Sequence, residues 1–300
     1  MHVLMLLVLL LVSGCQAAGP PPTTLFNYRL QDAGGRPLSL AQAAARLADA
    51  DVIMVGELHG HQGIHRFQAE LLARLLQGPG PVALAMEQFS RDSQPVLDAY
   101  LQRELGENTF IERANAWPGY RSDYRPLLEL ARDAGIPVLA ANAPRHIVRC
   151  IGQEGPGYLD RLPASHRAWV AERLTLDDDA YKARFMASRH HGQPPSEFQF
   201  AAQTSWDDTM AESIAKHLGA NPGTRVMLTL GRFHIGEGLG TAQRLWLRAP
   251  ALRTVLIYPV VAGEENPPAP LWRLHVAPLP PVRLSDEPLP AMGTAAGTAC

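Results

Sequence analysis

Five short apolar runs, set apart by helix-like segments, constrain this chain more than any other feature. They are Asp51–Gly56 (DVIMVG), Pro81–Met86 (PVALAM), Pro137–Ala141 (PVLAA), Arg225–Leu230 (RVMLTL) and Arg253–Val261 (RTVLIYPVV). None alternates apolar with polar residues, so both faces of each strand need cover, the pattern of a parallel sheet between helices. Helical spacing marks His65–Gln77 (Phe67, Leu71, Leu72, Leu75), Ser93–Leu105, Arg125–Ala134 and Phe198–Leu218 (Met210, Ile214, Leu218). From Ile147 to Phe198 there is no strand signal, and the helix candidates Ala164–Leu174 and Asp178–Ser188 read as an insertion over one end of the sheet. Leu271–Val276 reads as a final edge strand. The expected fold class is α/β: a parallel-rich central sheet flanked by helices, with a helical cap insertion at about 147–218.

The two ends read differently. Residues 3–12 (VLMLLVLLLV) have the length of a signal-peptide core and are too short to span a bilayer. They lead into Val12-Ser13-Gly14-Cys15, which resembles a bacterial lipoprotein cleavage box, with lipidation at Cys15. The n-region carries His2 but no Lys or Arg, and an ordinary secretory signal cleaved near Ala17-Ala18 is the alternative. Gln16 after the cysteine points to outer-membrane sorting. Residues 16–24 form a Pro/Gly tether, 25–277 the folded domain, and 278–300 a Pro/Ala-rich tail. Three cysteines without a CxxC pair argue against a thiolate zinc site. Cys300, in such a tail, reads as free or intermolecular rather than paired with Cys150.

The informative residues follow the apolar runs. The first ends in Gly56-Glu57-Leu58-His59-Gly60-His61, the second in Glu87-Gln88, the third in Asn142 and the fourth in Gly231-Arg232-Phe233-His234. Open α/β sheets bind ligands outside the carboxyl ends of their strands, so four parallel strands bring Glu57, His59, Glu87, Asn142 and His234 to one rim. Carboxylate and imidazole together suit a divalent transition metal such as Fe, Mn or Zn. The metal candidates are Glu57, His59, Glu87 and His234. Other readings stand beside this one: Glu57 and Glu87 paired with Arg66 or Arg91, His61 solvated, His234 a satisfied core histidine, and His190–His191 a surface pair. A net charge of −2 removes the main signature of nucleic-acid binding. No GxSxG elbow or phosphate-binding loop is present.

The segments GELHGHQGIHRFQAELLARL, ALAMEQFSRDSQPVLDAYL, PVLAANAPRHIVR, FAAQTSWDDTMAESIAKHL and VMLTLGRFHIGEGLG, in that order from about Asp51 to Leu245, resemble the ChaN-like haem-binding lipoprotein family. That family sits with Tiki and TraB proteins in a wider group sharing two GxxH elements, here Gly56–His59 and Gly231–His234, and strand-end glutamates such as Glu87. The resemblance implies haem as cofactor, an iron-regulated role in haem uptake at the outer membrane, and a homodimer holding paired haems with tyrosine as axial ligand. Tyr100, Tyr120 and Tyr124 are the ligand candidates, with Arg125, Arg113 or Arg121 for the propionates and Trp117 and Phe110 as apolar cover. The role of Asp207, which the resemblance reaches, is left open.

Three functions follow. The first is an outer-membrane-anchored, periplasm-facing haem-binding lipoprotein, with haem and the membrane as partners. The second is a Tiki-like metal-dependent hydrolase or peptidase on the Glu57/His59/Glu87/His234 site, with Glu57 or Glu87 as general base. The third is an envelope scaffold that keeps the rim as a relic.

Overall fold

The computed structural model describes residues 22–188, 194–267, 270–281 and 300. The expectations for Cys15, the first part of the tether, His190–His191 and most of the tail fall outside these residues. The five apolar runs become β3 (Val52–Glu57), β4 (Val82–Ser90), β5 (Val138–Asn142), β6 (Arg225–Gly231) and β7 (Thr254–Val261). With β1 (Tyr28–Gln31), β2 (Pro37–Leu38) and β8 (Trp272–Val276) they form one eight-stranded sheet in the order β2-β1-β8-β7-β3-β6-β4-β5. From β8 to β5 every pair is parallel; β1 runs antiparallel to β8 and to β2. Every residue of β3 and β6, at the centre, is buried, which is why their sequences do not alternate.

Helices cover both faces. On one lie α1 (Leu40–Arg46), α2 (Gln62–Leu76), α3 (Gln94–Leu101), α4 (Glu107–Arg113) and α5 (Arg125–Ala134). They set Phe67, Leu71, Leu97, Phe110 and Leu127 against Ile53, Val55, Leu84 and Met227. On the other, α9 (Glu197–Ala220) and α10 (Thr241–Arg248) set Met210, Ile214 and Leu245 against Val52, Met54, Ala83 and Leu228. Each such fully buried side chain contributes roughly 1.5–3 kcal/mol of transfer free energy. The start of α9 is fixed by a capping box in which Ser196 and Gln199 exchange hydrogen bonds. Gly135, at φ 64°, ends α5 in the left-handed conformation that glycine adopts at least cost.

Between β5 and β6 the described residues hold no strand. They form α6 (Arg145–Glu154), α7 (Ala164–Arg167), α8 (Ala180–Ala187) and the start of α9, which is the expected helical cap. Four expectations are corrected. Leu271–Val276 is not an edge strand, because the β1–β2 hairpin pairs outside it; that hairpin is too short to leave a periodic signal. Ala164–Leu174 shrinks to the single turn α7, because the carbonyls of Val170, Ala171 and Glu172 bond the Arg167 guanidinium instead of helix N–H groups. Ser93–Leu105 ends as a helix at Leu101, beyond which Arg103 turns left-handed at φ 65° and α4 follows. Cys300 is paired with Cys150 of α6, their Cα atoms 5.5 Å apart. No helix among the described residues is long and apolar enough to cross a membrane.

Candidate functional site

The carboxyl ends of β3, β4 and β6 lie side by side, with Glu57 in register with Gly231. Strand pleating then sorts the polar residues. Glu57, Gln88 and Thr229 share the face covered by α2 and α5, while Glu87 takes the opposite face. The rim is therefore two half-sites meeting at Gly231.

The first half-site is built around Glu57, which is 1% exposed. Its Oε1 accepts hydrogen bonds from His59 Nδ1 (2.8 Å), Tyr124 Oη (2.7 Å) and Gln88 Nε2 (3.2 Å). Its Oε2 accepts from Gln68 Nε2 at 2.9 Å, and Gln68 Oε1 accepts in turn from His65 Nδ1 at 3.0 Å. Burial opposes the charge on Glu57, but these donors and the nearby imidazoles outweigh it and hold the carboxyl below its ordinary range. The hydrogen bond to Glu57 raises His59, whose side chain is 53% exposed and reaches the rim edge-on to Trp117.

The second half-site is built around His234 at the end of β6. Its Nδ1 donates to Asp207 Oδ1 at 2.7 Å, and its Nε2 lies 3.6 Å from Glu87 Oε1. Asp207, on α9, is fully buried and also accepts from Tyr181 Oη (2.5 Å) and Thr241 Oγ1 (2.7 Å). Glu87 Oε2 accepts the Gly231 N–H at 2.5 Å. Burial works against a charge on His234, but Asp207 and Glu87 prevail and push it up to about 9. The two half-sites touch: a Cβ on Gly231 would lie 3.4 Å from His59 Nε2 and 3.6 Å from His234 Cδ2.

The structure thus brings Glu57, His59, Glu87 and His234 to one rim, in unequal roles. Glu57 spends both oxygens on protein donors and acts as an orienting group; of the other three, His59 is half exposed, while Glu87 and His234 are buried beside it. Among the described residues no group of three or more His, Cys, Asp and Glu side chains is arranged to hold a metal ion. The alternative pairings of the glutamates do not form, since Arg66 binds Glu70 and Arg91 binds Glu212. His61 is not solvated: it is fully buried, with Nε2 against the carbonyl of Ala277 at 2.8 Å. Asn142 secures the end of β4 by donating to the Glu87 carbonyl.

The haem candidates sit elsewhere than expected. Tyr100, Tyr120 and Tyr124 are 3%, 1% and 2% exposed, inside the aromatic core with Phe89 and Phe110. Tyr100 donates to Glu129 at 2.6 Å and Tyr124 to Glu57. Burial first, then neighbouring carboxylates or phenols, raises all three phenols above their ordinary range. Neutral phenols enclosed in a core do not fit an axial ligand that must face a porphyrin. Arg125 is committed to Glu107 through two hydrogen bonds. Sequence reasoning missed Gln68, Gln88, Tyr181 and Thr241 as part of the site. The only hint was position: Gln68 follows His65 by three on a helix, and Gln88 follows Glu87.

Fold and rim together define an α/β protein with carboxylate-backed imidazoles at its strand ends. The chain belongs to the family described as haem-binding uptake, Tiki superfamily, ChaN, which matches residues 43–245. A solved structure described as cofacial heme binding to ChaN of Campylobacter jejuni shares the fold with a TM-score of 0.65 at 17% identity, covering 84% of this chain and 97% of that one. Protein RETICULATA-RELATED 5, chloroplastic, of Arabidopsis thaliana is 29% identical over 86 residues, which is 28% of this chain and 12% of that protein's length.

Proposed function

We propose that this chain is a haem-binding protein of haem and iron uptake, carried to the outer membrane by a lipid on Cys15 and facing the periplasm. The observation that carries the haem reading is the family membership across residues 43–245, supported by a ChaN-like fold. Export is supported by the apolar run ending at Cys15 and by the Cys150–Cys300 disulfide, since such bonds persist in oxidising compartments. Titrating the purified protein with hemin tests the first part: a saturable Soret shift is expected, and a folded protein that leaves the hemin spectrum unchanged would refute it. Incorporation of labelled fatty acid, lost in Cys15→Ser, tests the anchor.

One observation favours a second reading. Haem binding needs no pair of imidazoles each backed by a buried carboxylate, yet Glu57–His59 and Asp207–His234 are such pairs at adjoining strand ends. This is acid–base machinery suited to hydrolysis. Peptide or ester turnover abolished by His59→Ala and His234→Ala in folded protein is the expected result. No turnover across Mn, Co and Zn additions would eliminate it.

A further inference from the structure

The amino-terminal end of the fold and the rim lie at the same end of the molecule, for a topological reason. β1 is antiparallel to β8, while the strands from β8 to β5 are parallel, so β1 starts where the parallel strands finish: Tyr28 pairs with Val276, the last residue of β8. The residues just before β1 cross the first turn of α2, where a Cβ on Gly63 would meet the carbonyl oxygens of Leu25 and Asn27 at 2.8 and 2.9 Å. Helix α2 starts at Gln62, three residues after His59. His61, at its N-cap, binds the carbonyl of Ala277 just past β8. The chain therefore enters the fold on the flank of the first half-site.

What it presents there is an aromatic ring. Thr24 to Asn27 form a turn closed by the Asn27 N–H on the Thr24 carbonyl (3.1 Å). The Thr24 hydroxyl accepts from the Phe26 N–H (3.2 Å) and donates to Asn27 Oδ1 (2.8 Å). Phe26, on this turn, is 60% exposed, more than any other large hydrophobic residue among those described. The charges next to it are compensated, since Glu70 accepts from both Arg66 and Tyr28. The exposed acids Glu237, Glu264 and Glu265 gather on the opposite face of the sheet, around the cavity beside Tyr258, so they do not oppose an anionic surface at Phe26. Covalent length then decides which end can meet a membrane. From Cys15 to Pro22, where the described residues begin, the chain spans at most about 25 Å. A domain of this size is roughly 50 Å across, so an anchor at Cys15 does not let the opposite end of the sheet take the place of this one against the bilayer.

We propose that the Thr24–Asn27 turn and the first turn of α2 form a lipid-contact surface, with Phe26 inserted at the headgroup level of the bilayer that holds the Cys15 anchor. Aromatic and aliphatic side chains at this depth gain from apolar burial without crossing the membrane. The surface sets the His59 flank of the rim toward the lipid and the strand starts away from it. The proposal rests on the lipid on Cys15 proposed above.

The test places a fluorescent reporter at each end of the sheet. The full chain, Phe26→Trp and Pro79→Trp are expressed with the leader, purified in acylated form and reconstituted on vesicles of phosphatidylethanolamine and phosphatidylglycerol. Pro79 is exposed in the loop before β4, at the strand starts. Brominated acyl chains in the vesicles should quench the emission added by Phe26→Trp and leave the emission added by Pro79→Trp unchanged, after subtraction of the unsubstituted protein. Equal quenching at the two positions, or stronger quenching at 79, in protein shown by intact mass to be acylated would overturn the lipid-contact surface while the anchor stands. Purified protein without an acyl group on Cys15 would overturn both.

Discussion

His234 and Asp207, 27 residues apart, form a buried imidazole–carboxylate pair at 2.7 Å that ties the end of β6 to helix α9. Tyr181 from the cap and Thr241 from α10 complete the shell of Asp207, so one carboxylate holds four segments in register. Replacing it by Asn should drop the His234 pKa from about 9 toward its ordinary value near 6.5. Removing one partner of a buried ion pair typically costs roughly 3–5 kcal/mol, so denaturant unfolding should register a large loss. Histidine NMR titration of Asp207→Asn checks the first outcome. An unchanged titration would show that Asp207 does not control the charge on His234.

The same pair predicts a pH dependence of stability. His234 has its pKa raised on folding, so its contribution is complete below about 6.5 and is lost as pH rises through about 9. Asp207 has its pKa lowered, so its contribution is present above the ordinary aspartate range and is lost as pH falls. Unfolding free energy measured across pH should therefore decline on the alkaline side between about 6.5 and 9. Asp207→Asn should flatten that slope.

Glu57 gives a separate handle on the first half-site. It accepts from three protein donors on Oε1 and one on Oε2, so Glu57→Gln turns an amide NH₂ toward at least one of these donors, whichever way the amide is set. Losing acceptance from buried donors costs about 1–3 kcal/mol. Thermal unfolding should fall measurably, and Tyr124→Phe in the same background should recover part of the loss. No recovery would mean that Tyr124 and Glu57 are not energetically coupled.

Gly240 shows how closely the loop after His234 is packed. It adopts φ 60°, and a Cβ there would lie 2.5 Å from the His234 carbonyl oxygen. Gly240→Ala should destabilise the fold by at least about 1–3 kcal/mol, because backbone rather than a flexible side chain must move. Gly223, also at positive φ but with nothing near a built Cβ, is the control and should lose less. Equal losses would show that the clash contributes nothing.

The Cys150–Cys300 bond closes a loop across a sequence separation of 150 residues. Constraining so long a loop in the unfolded chain is worth at most about 5 kcal/mol. Protein from an oxidising compartment should carry no free thiol at these positions by alkylation and intact mass. Cys300→Ser should lower the unfolding midpoint. Free thiols in the native, unreduced protein would overturn the pairing.

The parallel sheet was legible in the sequence, because strands buried on both faces leave unbroken apolar runs, and those of β3 to β7 stand out at once. So was the location of the rim, because ionisable residues that directly follow buried strands have no packing reason to be there. Only the tertiary structure assigned roles within it. The two-residue period of a strand sets Glu57 and Glu87 on opposite faces, while a linear reading placed them together as ligands. Asp207 lies in the middle of a helix, and nothing local distinguishes it from Asp208; only the packing of α9 against β6 and α10 makes it the partner of His234. The tyrosines teach the same lesson. Sequence proximity to Trp117 and Arg125 suggested an open haem face, whereas three-dimensional packing turned those rings inward.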